Sequence, residues 1–345
     1  MNKNMLLLLW FLAACQQTVP PTQKEYQKIS GQTMGVVTYN ITYDAEKNYQ
    51  HQLDSLMNAI NNELSTYVPS SAISSFNRSE LGLENIDQFP HFLKNTTIAM
   101  ECAKQSEGAF DPTVMPLVNY WGFGYTGKKV VNQIDQEAID SLLQFVGMEK
   151  VKLEAAAIQK KHPSVQFDFS GSAKGYFIDE VSQFLVDKGV KNYMVEIGGE
   201  GRTLGKNPNG KDWRMGVNVP REQSNINEIF AAVTMQNEAI ATSGNYRNYY
   251  VVDEKIYSHT INPHTGLPER SNLLSVSIVT QACIYADAYA TACMVMGFEK
   301  AKIFVDKLGV EAYFIYNDEH GTLKDYATAG LQNRVERFLN KLPVN

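Results

Sequence analysis

Cysteine is scarce in this sequence and does not follow the pattern of a disulfide framework or a zinc site. The chain has 345 residues and four cysteines: Cys15, Cys102, Cys283 and Cys293. No two of them have the CxxC spacing of a zinc-ligand pair. Cys15 belongs to the N-terminal signal described below. Three cysteines remain, and this odd number argues against a framework of paired disulfides. Cys102 and Cys293 fall in helical patterns and are predicted to be small core residues.

The sequence also lacks clustered positive charge and the common nucleotide-binding motifs. Its 31 Lys and Arg against 37 Asp and Glu give a net charge of -6, and the basic residues are scattered along the chain. This distribution argues against nucleic acid as a partner. Neither a GxGxxG fingerprint nor a Walker phosphate loop is present.

The apolar run MLLLLWFLAA at the N-terminus is too short to span a bilayer, which takes about 20 apolar residues. It follows one lysine and fits the apolar part of a secretory signal. The run ends in LAAC, which resembles the bacterial lipoprotein signal, so residues 1–15 are predicted to be a signal peptide whose lipobox cysteine, Cys15, is lipidated. An ordinary signal peptide with a chance cysteine is the alternative. Residues 16–28 are predicted to be a tether.

The remaining residues, 29–343, are predicted to form one α+β domain. Its hydrophobic fraction of 44% is ample for a large core. Helical periodicity predicts helices within 45–67, 89–108, 134–147, 172–187, 283–296, 298–308 and 331–342. Alternating or short apolar runs predict strands within 29–43, 151–154, 164–168, 193–280 and 311–316. Because strands and helices do not alternate regularly, the large strand region is expected to be mostly antiparallel and packed by helices.

The stretch FDFSGSAKGYFIDEV, residues 167–181, joins a predicted strand to a predicted helix. Asp168 ends the strand, and Lys174 lies in the first helical turn, where the helix dipole disfavours a cation. Gly171 permits close backbone approach between them. A phosphate bound at the helix N-terminus would offset the repulsion. A capped strand–helix junction with an exposed lysine is the alternative.

A carboxylate and a hydroxyl share one face of the helix predicted at 283–296. Asp287 and Thr291 are one helical turn apart, and alanines line the rest of that face. Hard oxygen ligands, a substrate phosphate and water together suit Mg²⁺. In the structural alternative, Asp287 interacts with the helix dipole and Thr291 bonds to its own backbone.

Other residues are candidates by position. His259 is predicted at the end of a strand, where it can act as a general base near neutrality or be an ordinary surface histidine. Arg247 suits a phosphate clamp or a salt bridge equally well, and Glu196 is predicted to be an internal hydrogen-bond acceptor. Two aromatic segments can stack on a flat ring or belong to the core, and they carry Tyr67, Phe110, Asp111, Trp121 and Phe123.

In their order along the chain, these motifs resemble one family, the ApbE-type FAD:protein FMN transferases. The resemblance runs from about Met34 to about Gly297 and rests on the blocks TMG, LSTYVPSSAISSFN, GAFDPTVMPLVNYWGFG, DFSGSAKGYFID, VEIGGEGRTLG, ATSGNYRN, HTINPHTG and ADAYATACMVMG. It implies an ApbE-like fold and Mg²⁺-dependent transfer of FMN from FAD to a threonine or serine hydroxyl of a target protein, with release of AMP. The expected targets are redox-pump subunits and related exported flavoproteins. The expected location is a membrane-anchored lipoprotein facing the periplasm or the cell exterior.

The resemblance also implies roles for individual residues. The implied FAD contacts are Met34, Tyr67, Ala109, Phe110, Asp111, Asp168 and Lys174, with His259 and Thr260 beside the diphosphate. The implied Mg²⁺ ligands are the Gly171 carbonyl, Asp287 and Thr291, with the Ala290 carbonyl as a further candidate. His259 is the first choice of base and Asp287 the second. The sequence departs from the usual family pattern at Asn245, Asn262, His264 and the SAKG run, which bears on loop charge and target preference.

Two other functions fit the same residues. An FAD diphosphatase would use water in place of the protein hydroxyl and would give FMN and AMP. A non-catalytic, lipid-anchored flavin carrier would not need Asp287 and Thr291 placed together, nor His259.

Overall fold

An antiparallel sheet of eight strands organises the molecule. The computed structural model describes residues 25–127, 134–221, 228–245, 249–252, 255–269 and 271–338. Within these ranges every neighbouring pair in the sheet is antiparallel. The spatial order of the strands is β1 (Tyr26–Thr33), β2 (Val37–Asp44), β6 (Tyr193–Ile197), β7 (Glu200–Leu204), β10 (Ala239–Gly244), β13 (Leu273–Thr280), β14 (Glu311–Asn317) and β15 (Leu323–Ala327).

Three smaller sheets in the described residues are antiparallel as well. The first has the order β16 (Val335–Arg337), β9 (Ile229–Met235), β8 (Trp213–Asn218). The second has the order β3 (Gly82–Glu84), β5 (Ala157–Lys160), β4 (Val151–Leu153). The third is the pair β11 (Tyr249–Val252) and β12 (Lys255–Ser258). The expected α+β class with an antiparallel strand region is confirmed.

Eight α-helices occur in the described part of the chain. They are α1 (Gln50–Leu64), α2 (Ala72–Arg78), α3 (Pro90–Gln105), α4 (Met115–Tyr120), α5 (Gln136–Leu143), α6 (Ala173–Asp187), α7 (Cys283–Met296) and α8 (Phe298–Leu308). Two short 3₁₀ turns lie at Ile86–Gln88 and Met148–Lys150. The periodicity predicted α7 and α8 to the residue, and the helices within 45–67, 89–108, 134–147 and 172–187 are confirmed.

Both faces of the large sheet are covered, because alternate residues of its strands enter different cores. In β13, Val276 and Ile278 pack into the main core with α1, α3, α6, α7 and α8, whereas Val279 packs into a second core with the β16–β9–β8 sheet. The same alternation occurs in β14, where Phe314 and Tyr313 point to opposite cores. The main core therefore fixes α6 and α7, which carry the site described below, against one face of the sheet.

Two secondary-structure predictions were wrong. Residues 164–168 do not form a strand: Gln166 makes an isolated bridge with Val114, and side chains satisfy much of the remaining backbone. The buried Lys160 ammonium donates to the carbonyl of Val165 at 3.0 Å, and the Asn77 amide bonds both the N–H and the carbonyl of Phe167. In the predicted helix 331–342, Val335 instead enters β16, which completes the edge of β9.

The structure also adds elements to segments predicted as irregular. β1 begins at Tyr26, inside the predicted tether. The two aromatic segments contain the short helices α2 and α4. Cys102 and Cys293 are buried, as expected; Cys283 is buried as well, and all three are unpaired. Cys15 and Arg247 lie outside the described residues. Among the described helices, none has the length and apolar character needed to cross a bilayer.

Candidate active site

Two adjoining cavities lie beside the N-terminus of α6. The polar cavity, of about 430 Å³, is bordered by the 109–111 turn, residues 168–174, the 242–244 end of β10, the 259–263 segment and α7. The apolar cavity, of about 370 Å³, is lined mainly by apolar side chains, among them Met34, Leu64, Tyr67, Met115, Phe123 and Phe177. The residues common to both walls are Val118, Asp168, Ser170, Lys174 and His259. A ligand can therefore extend from one cavity into the other.

Helices α6 and α7 are in backbone contact, and this contact sets the geometry of the polar cavity. A Cβ at Gly175 would lie 2.4 Å from the Cys283 carbonyl oxygen, so only glycine fits at this crossing. Each helix supplies a carboxylate to the N-terminal amides of the other. Asp179 of α6 accepts the N–H groups of Cys283 and Ile284, both at 2.9 Å, and Asp287 of α7 accepts the Gly175 N–H at 3.0 Å.

Asp287, Thr291 and Gly171 come together on the wall of the polar cavity. Asp287 is only 2% exposed but lines the cavity, and Thr291 follows one helical turn later. A Cβ at Gly171 would lie 2.8 Å from the Thr291 hydroxyl oxygen and 3.3 Å from the Phe110 ring, so the backbone of Gly171 is pressed against both side chains. The glycine thus leaves room for the backbone and the hydroxyl to share one small space.

The charge that compensates Lys174 comes from the protein itself. Its ammonium forms an ion pair with Glu200 at the start of β7. Glu200 is almost fully buried, and its second carboxylate oxygen has no hydrogen-bond partner within the described residues. No role was predicted for Glu200, because no local pattern in the VEIGGEG block marks this glutamate as the buried one. Glu196 accepts hydrogen bonds from Asn40 and Gly199, as expected for an internal acceptor.

The cluster of Lys174, Glu200 and Asp287 places two buried carboxylates beside one cation. Burial and the nearby Asp287 raise the pKa of Glu200, although Lys174 opposes that shift. Burial also raises the pKa of Asp287. Burial by itself would lower the pKa of Lys174, but Glu200 and Asp287 outweigh it, and the pKa of that ammonium is raised. A further positive charge would stabilise this arrangement.

Two more carboxylates border the polar cavity, and each is fixed by a local turn. Asp168 accepts the Ser170 N–H at 2.8 Å, and its own N–H donates to the Pro112 carbonyl at 2.7 Å. Asp111 accepts the N–H and the hydroxyl of Thr113 at 2.8 and 2.6 Å. Burial raises the pKa of both carboxyl groups. These bonds fix the conformation of the segments on which the two aspartates lie.

His259 and Thr260 follow β12 and line the polar cavity, and His259 also lines the apolar one. The His259 side chain is exposed, and its ring lies 6.4 Å from that of Phe123, edge to face. Met34 lies at the β1–β2 turn with a positive φ of 50°. Tyr67 lines the mouth of the apolar cavity and is 73% exposed. Trp121, in contrast, is a core residue, whose ring N–H donates to the Gly266 carbonyl.

The structure therefore brings nearly all of the predicted site residues to the two cavities. Among the residues that the family resemblance implies for FAD and Mg²⁺, the exception is Ala290, which is fully buried in α7 and lines neither cavity. Its part in ion binding stays a prediction. The reading from sequence missed Ser170 and the residues Thr242, Ser243 and Gly244 of the polar cavity. The ATSG run before Asn245 was a usable signal, since small residues at the end of a strand allow close approach of a ligand.

The donor set fits a small hard cation. No group of three or more Asp, Glu, His or Cys side chains capable of holding a metal occurs in the described ranges. Asp287, the Thr291 hydroxyl and the Gly171 backbone instead offer a few oxygens beside an open cavity and an excess of buried negative charge. Mg²⁺ is typically bound in this way, with substrate phosphates completing its shell.

Comparison with known proteins gives consistent results. The sequence model of the ApbE family matches residues 34–314. The FAD:protein FMN transferase of Vibrio cholerae is 35% identical over 337 residues, which cover 95% of this chain and 96% of that protein. The enzyme of that name from Haemophilus influenzae is 32% identical, with 92% and 93% covered.

Solved structures agree with the sequence comparisons. The flavin transferase ApbE from Vibrio cholerae superimposes with a TM-score of 0.78 at 32% identity, over 90% of this chain and 99% of that one. The apo form of the Pseudomonas stutzeri flavinyl transferase ApbE gives a TM-score of 0.78 at 29% identity, over 90% and 97%.

Proposed function

Since the chain belongs to the ApbE family and is an FAD:protein FMN transferase, we propose that it performs this transfer with a magnesium ion at Asp287, Thr291 and the Gly171 carbonyl. The observation that carries the proposal is the shared position of these three groups on the wall of the polar cavity, beside Lys174. When bound, the ion would neutralise charge on the diphosphate of FAD as its bridge breaks.

The two cavities suit different parts of FAD, because one is polar and the other is mainly apolar. The apolar cavity, with Tyr67 and Phe123 among its walls, accommodates one of the two flat ring systems of FAD. The polar cavity receives the diphosphate, near the α6 N-terminus and Lys174, which add positive potential. On this division, the bond to be broken would lie in the polar cavity, near Lys174 and His259, which line both cavities.

In the reaction, a threonine or serine hydroxyl of the target protein attacks the phosphorus of the FMN half. The new phosphoester bond forms as the bond from that phosphorus to the bridging oxygen breaks, and AMP leaves with the bridging oxygen. A base must take the hydroxyl proton, because hydroxyls are weak nucleophiles at neutral pH. His259 is the first candidate, since it is exposed at the wall common to both cavities. Asp287 is the second.

Hydrolysis of FAD is the second candidate activity. Tyr67, on the wall of the apolar cavity, is 73% exposed, so water reaches that wall. Water can therefore take the place of the protein hydroxyl, which would give FMN and AMP. The same residues serve either acceptor, so only a product assay separates the two activities from simple FAD carriage.

One experiment tests these activities together. The chain is incubated with FAD, Mg²⁺ and a fragment of a redox-pump subunit that carries an acceptor threonine, and the products are separated on a denaturing gel under ultraviolet light while AMP is measured. A fluorescent fragment with equimolar AMP supports transfer. AMP without a fluorescent band indicates diphosphatase activity, and neither product indicates a carrier. A fragment with the acceptor threonine changed to alanine is the matched control.

We also propose that the protein is an exported lipoprotein, cleaved before Cys15 and anchored to a membrane with the enzyme facing the periplasm or the cell exterior. The LAAC motif and the preceding apolar run support this. Mass spectrometry of the mature N-terminus tests it. A diacylated Cys15 peptide is expected, and a Cys15→Ala chain that fractionates with membranes to the same extent would contradict the proposal.

A further inference from the structure

Glu200 is a buried carboxylate that the transfer reaction described above does not use. It is 1% exposed. One oxygen bonds the Lys174 ammonium, and the other has no hydrogen-bond partner in the described part of the chain. Burying a carboxylate with half of its acceptors unused is costly, so a purely structural role explains it poorly.

Lys174 is within electrostatic reach of two carboxylates but pairs with one. Glu200 and Asp287 both raise its pKa, yet among the described residues its ion pair is with Glu200, and the hydrogen bond of Asp287 is to Gly175. The three charged groups are adjacent, so the position of the ammonium decides which carboxylate is neutralised.

The turn between β6 and β7 holds Lys174 in this position. Gly198 and Gly199 have φ values of 59° and 91°, a conformation that favours glycine. A Cβ at Gly198 would lie 3.4 Å from Cδ of Lys174 and 2.9 Å from a methyl carbon of Val37. The aliphatic stem of Lys174 therefore lies over a glycine, and Glu200 meets its ammonium two residues further along.

We propose that Glu200 is a positioning residue: it holds the Lys174 ammonium away from Asp287 and so leaves that carboxylate available to the divalent cation. This inference rests on the proposed function. Without the negative charge at residue 200, Asp287 is the remaining carboxylate of the cluster, and an ion pair between Lys174 and Asp287 would compete with the cation for the same oxygens.

The test measures cation binding rather than turnover. Mn²⁺, which substitutes for Mg²⁺ at oxygen sites, is titrated into the metal-free chain with FAD present and no acceptor protein, and free Mn²⁺ is followed by electron paramagnetic resonance. Four proteins are compared: the parent, Glu200→Gln, Glu196→Gln and Asp287→Asn. Glu196→Gln is the matched control, because it makes the same chemical change in the same hairpin and outside both cavities.

Glu200→Gln is expected to weaken Mn²⁺ binding about tenfold. In this variant the cation must displace a charge-assisted hydrogen bond from Lys174 to Asp287, and one such bond has about that effect on affinity. Glu196→Gln is expected to remain within about twofold of the parent. Thermal unfolding of the metal-free proteins is measured in parallel, because removing one partner of the buried Lys174–Glu200 ion pair lowers stability, and Mn²⁺ affinities are compared at a temperature at which every variant is folded. A Glu200→Gln protein that folds and binds Mn²⁺ like the parent would overturn the proposal.

A double-mutant cycle with Lys174→Gln separates positioning from direct attraction. If Glu200 acts through Lys174, changing Glu200 to Gln in a Lys174→Gln chain leaves Mn²⁺ affinity nearly unchanged. An equal loss in both backgrounds would mean that Glu200 attracts the ion directly, and it would overturn the positioning role.

The Asp287→Asn protein distinguishes failure of this proposal from failure of the proposed function. If the parent and Asp287→Asn bind Mn²⁺ equally, the assignment of the ion to Asp287 is wrong and the role of Glu200 falls with it. If Asp287→Asn loses binding while Glu200→Gln does not, only the inference about Glu200 is overturned.

Discussion

Replacing Asp287 with asparagine removes one charge and leaves the surrounding packing in place. The side chain keeps its size, and its amide oxygen can still accept the Gly175 N–H that Asp287 accepts at 3.0 Å. Because burial raises the pKa of this carboxyl group, loss of the charge relieves a desolvation cost. We therefore expect Asp287→Asn to fold with a melting temperature close to that of the parent. Asp287→Ala would leave the Gly175 N–H buried without an acceptor, at about 1–3 kcal/mol.

The effect on transfer is expected to be much larger than the effect on stability. Asparagine offers the ion a neutral oxygen in place of a carboxylate, and removal of one charged contact to developing phosphate charge typically costs about 3 kcal/mol, or about 100-fold in rate. The assay is the initial rate of fluorescent band formation on an acceptor fragment at fixed Mg²⁺, with unfolding followed in parallel.

The comparison of the two variants separates chemistry from folding. Asp287→Asn should be at least about 100-fold slower than the parent while unfolding at a similar temperature, and Asp287→Ala should lose both rate and stability. An asparagine variant that transfers FMN within about threefold of the parent rate would refute the assignment of a charged ligand to this position.

Three further predictions concern Thr291, His259 and Lys160. Thr291→Val removes a hydroxyl at nearly constant volume and should raise the Mg²⁺ concentration for half-maximal transfer about tenfold, whereas Thr291→Ser should not. His259→Ala should slow transfer by about 10²–10⁴-fold with little change in FAD affinity measured by flavin fluorescence, and rates that are equal in parent and variant from pH 6 to 9 would exclude a base role. Burial lowers the pKa of Lys160 from 10.5 to about 8. Between these values the unfolded chain binds more protons, so the contribution of Lys160 to the free energy of unfolding rises with pH. Urea unfolding at pH 7.5 and 9.5 should show this rise in the parent but not in Lys160→Met.

Local periodicity was sufficient to predict the helices that carry the site. The spacing of four residues placed Asp287 and Thr291 on one face of α7, and the small residues before Lys174 marked the start of α6. Because such patterns depend on near neighbours in sequence, they predicted α7 and α8 to the residue. The antiparallel class followed from the lack of a regular alternation of strands and helices along the chain.

What the sequence could not predict depends on contacts between distant segments. Phe167 has its backbone satisfied by Asn77, 90 residues earlier, so a segment with strand character has no strand partner there. Val335 belongs to a strand because β9 offers it a free edge. Glu200 is buried because the β6–β7 turn packs beneath Lys174. No local pattern in VEIGGEG distinguishes an exposed glutamate from this one.

The most direct test of the account is a crystal structure of the chain grown with FAD and Mn²⁺, with the ion located by its anomalous scattering. The account predicts one ion, bound to the diphosphate and within about 2.0–2.3 Å of an Asp287 carboxylate oxygen and the Thr291 hydroxyl. A structure in which FAD fills the two cavities while Asp287 contacts only the Gly175 N–H, with the ion elsewhere or absent, would contradict it.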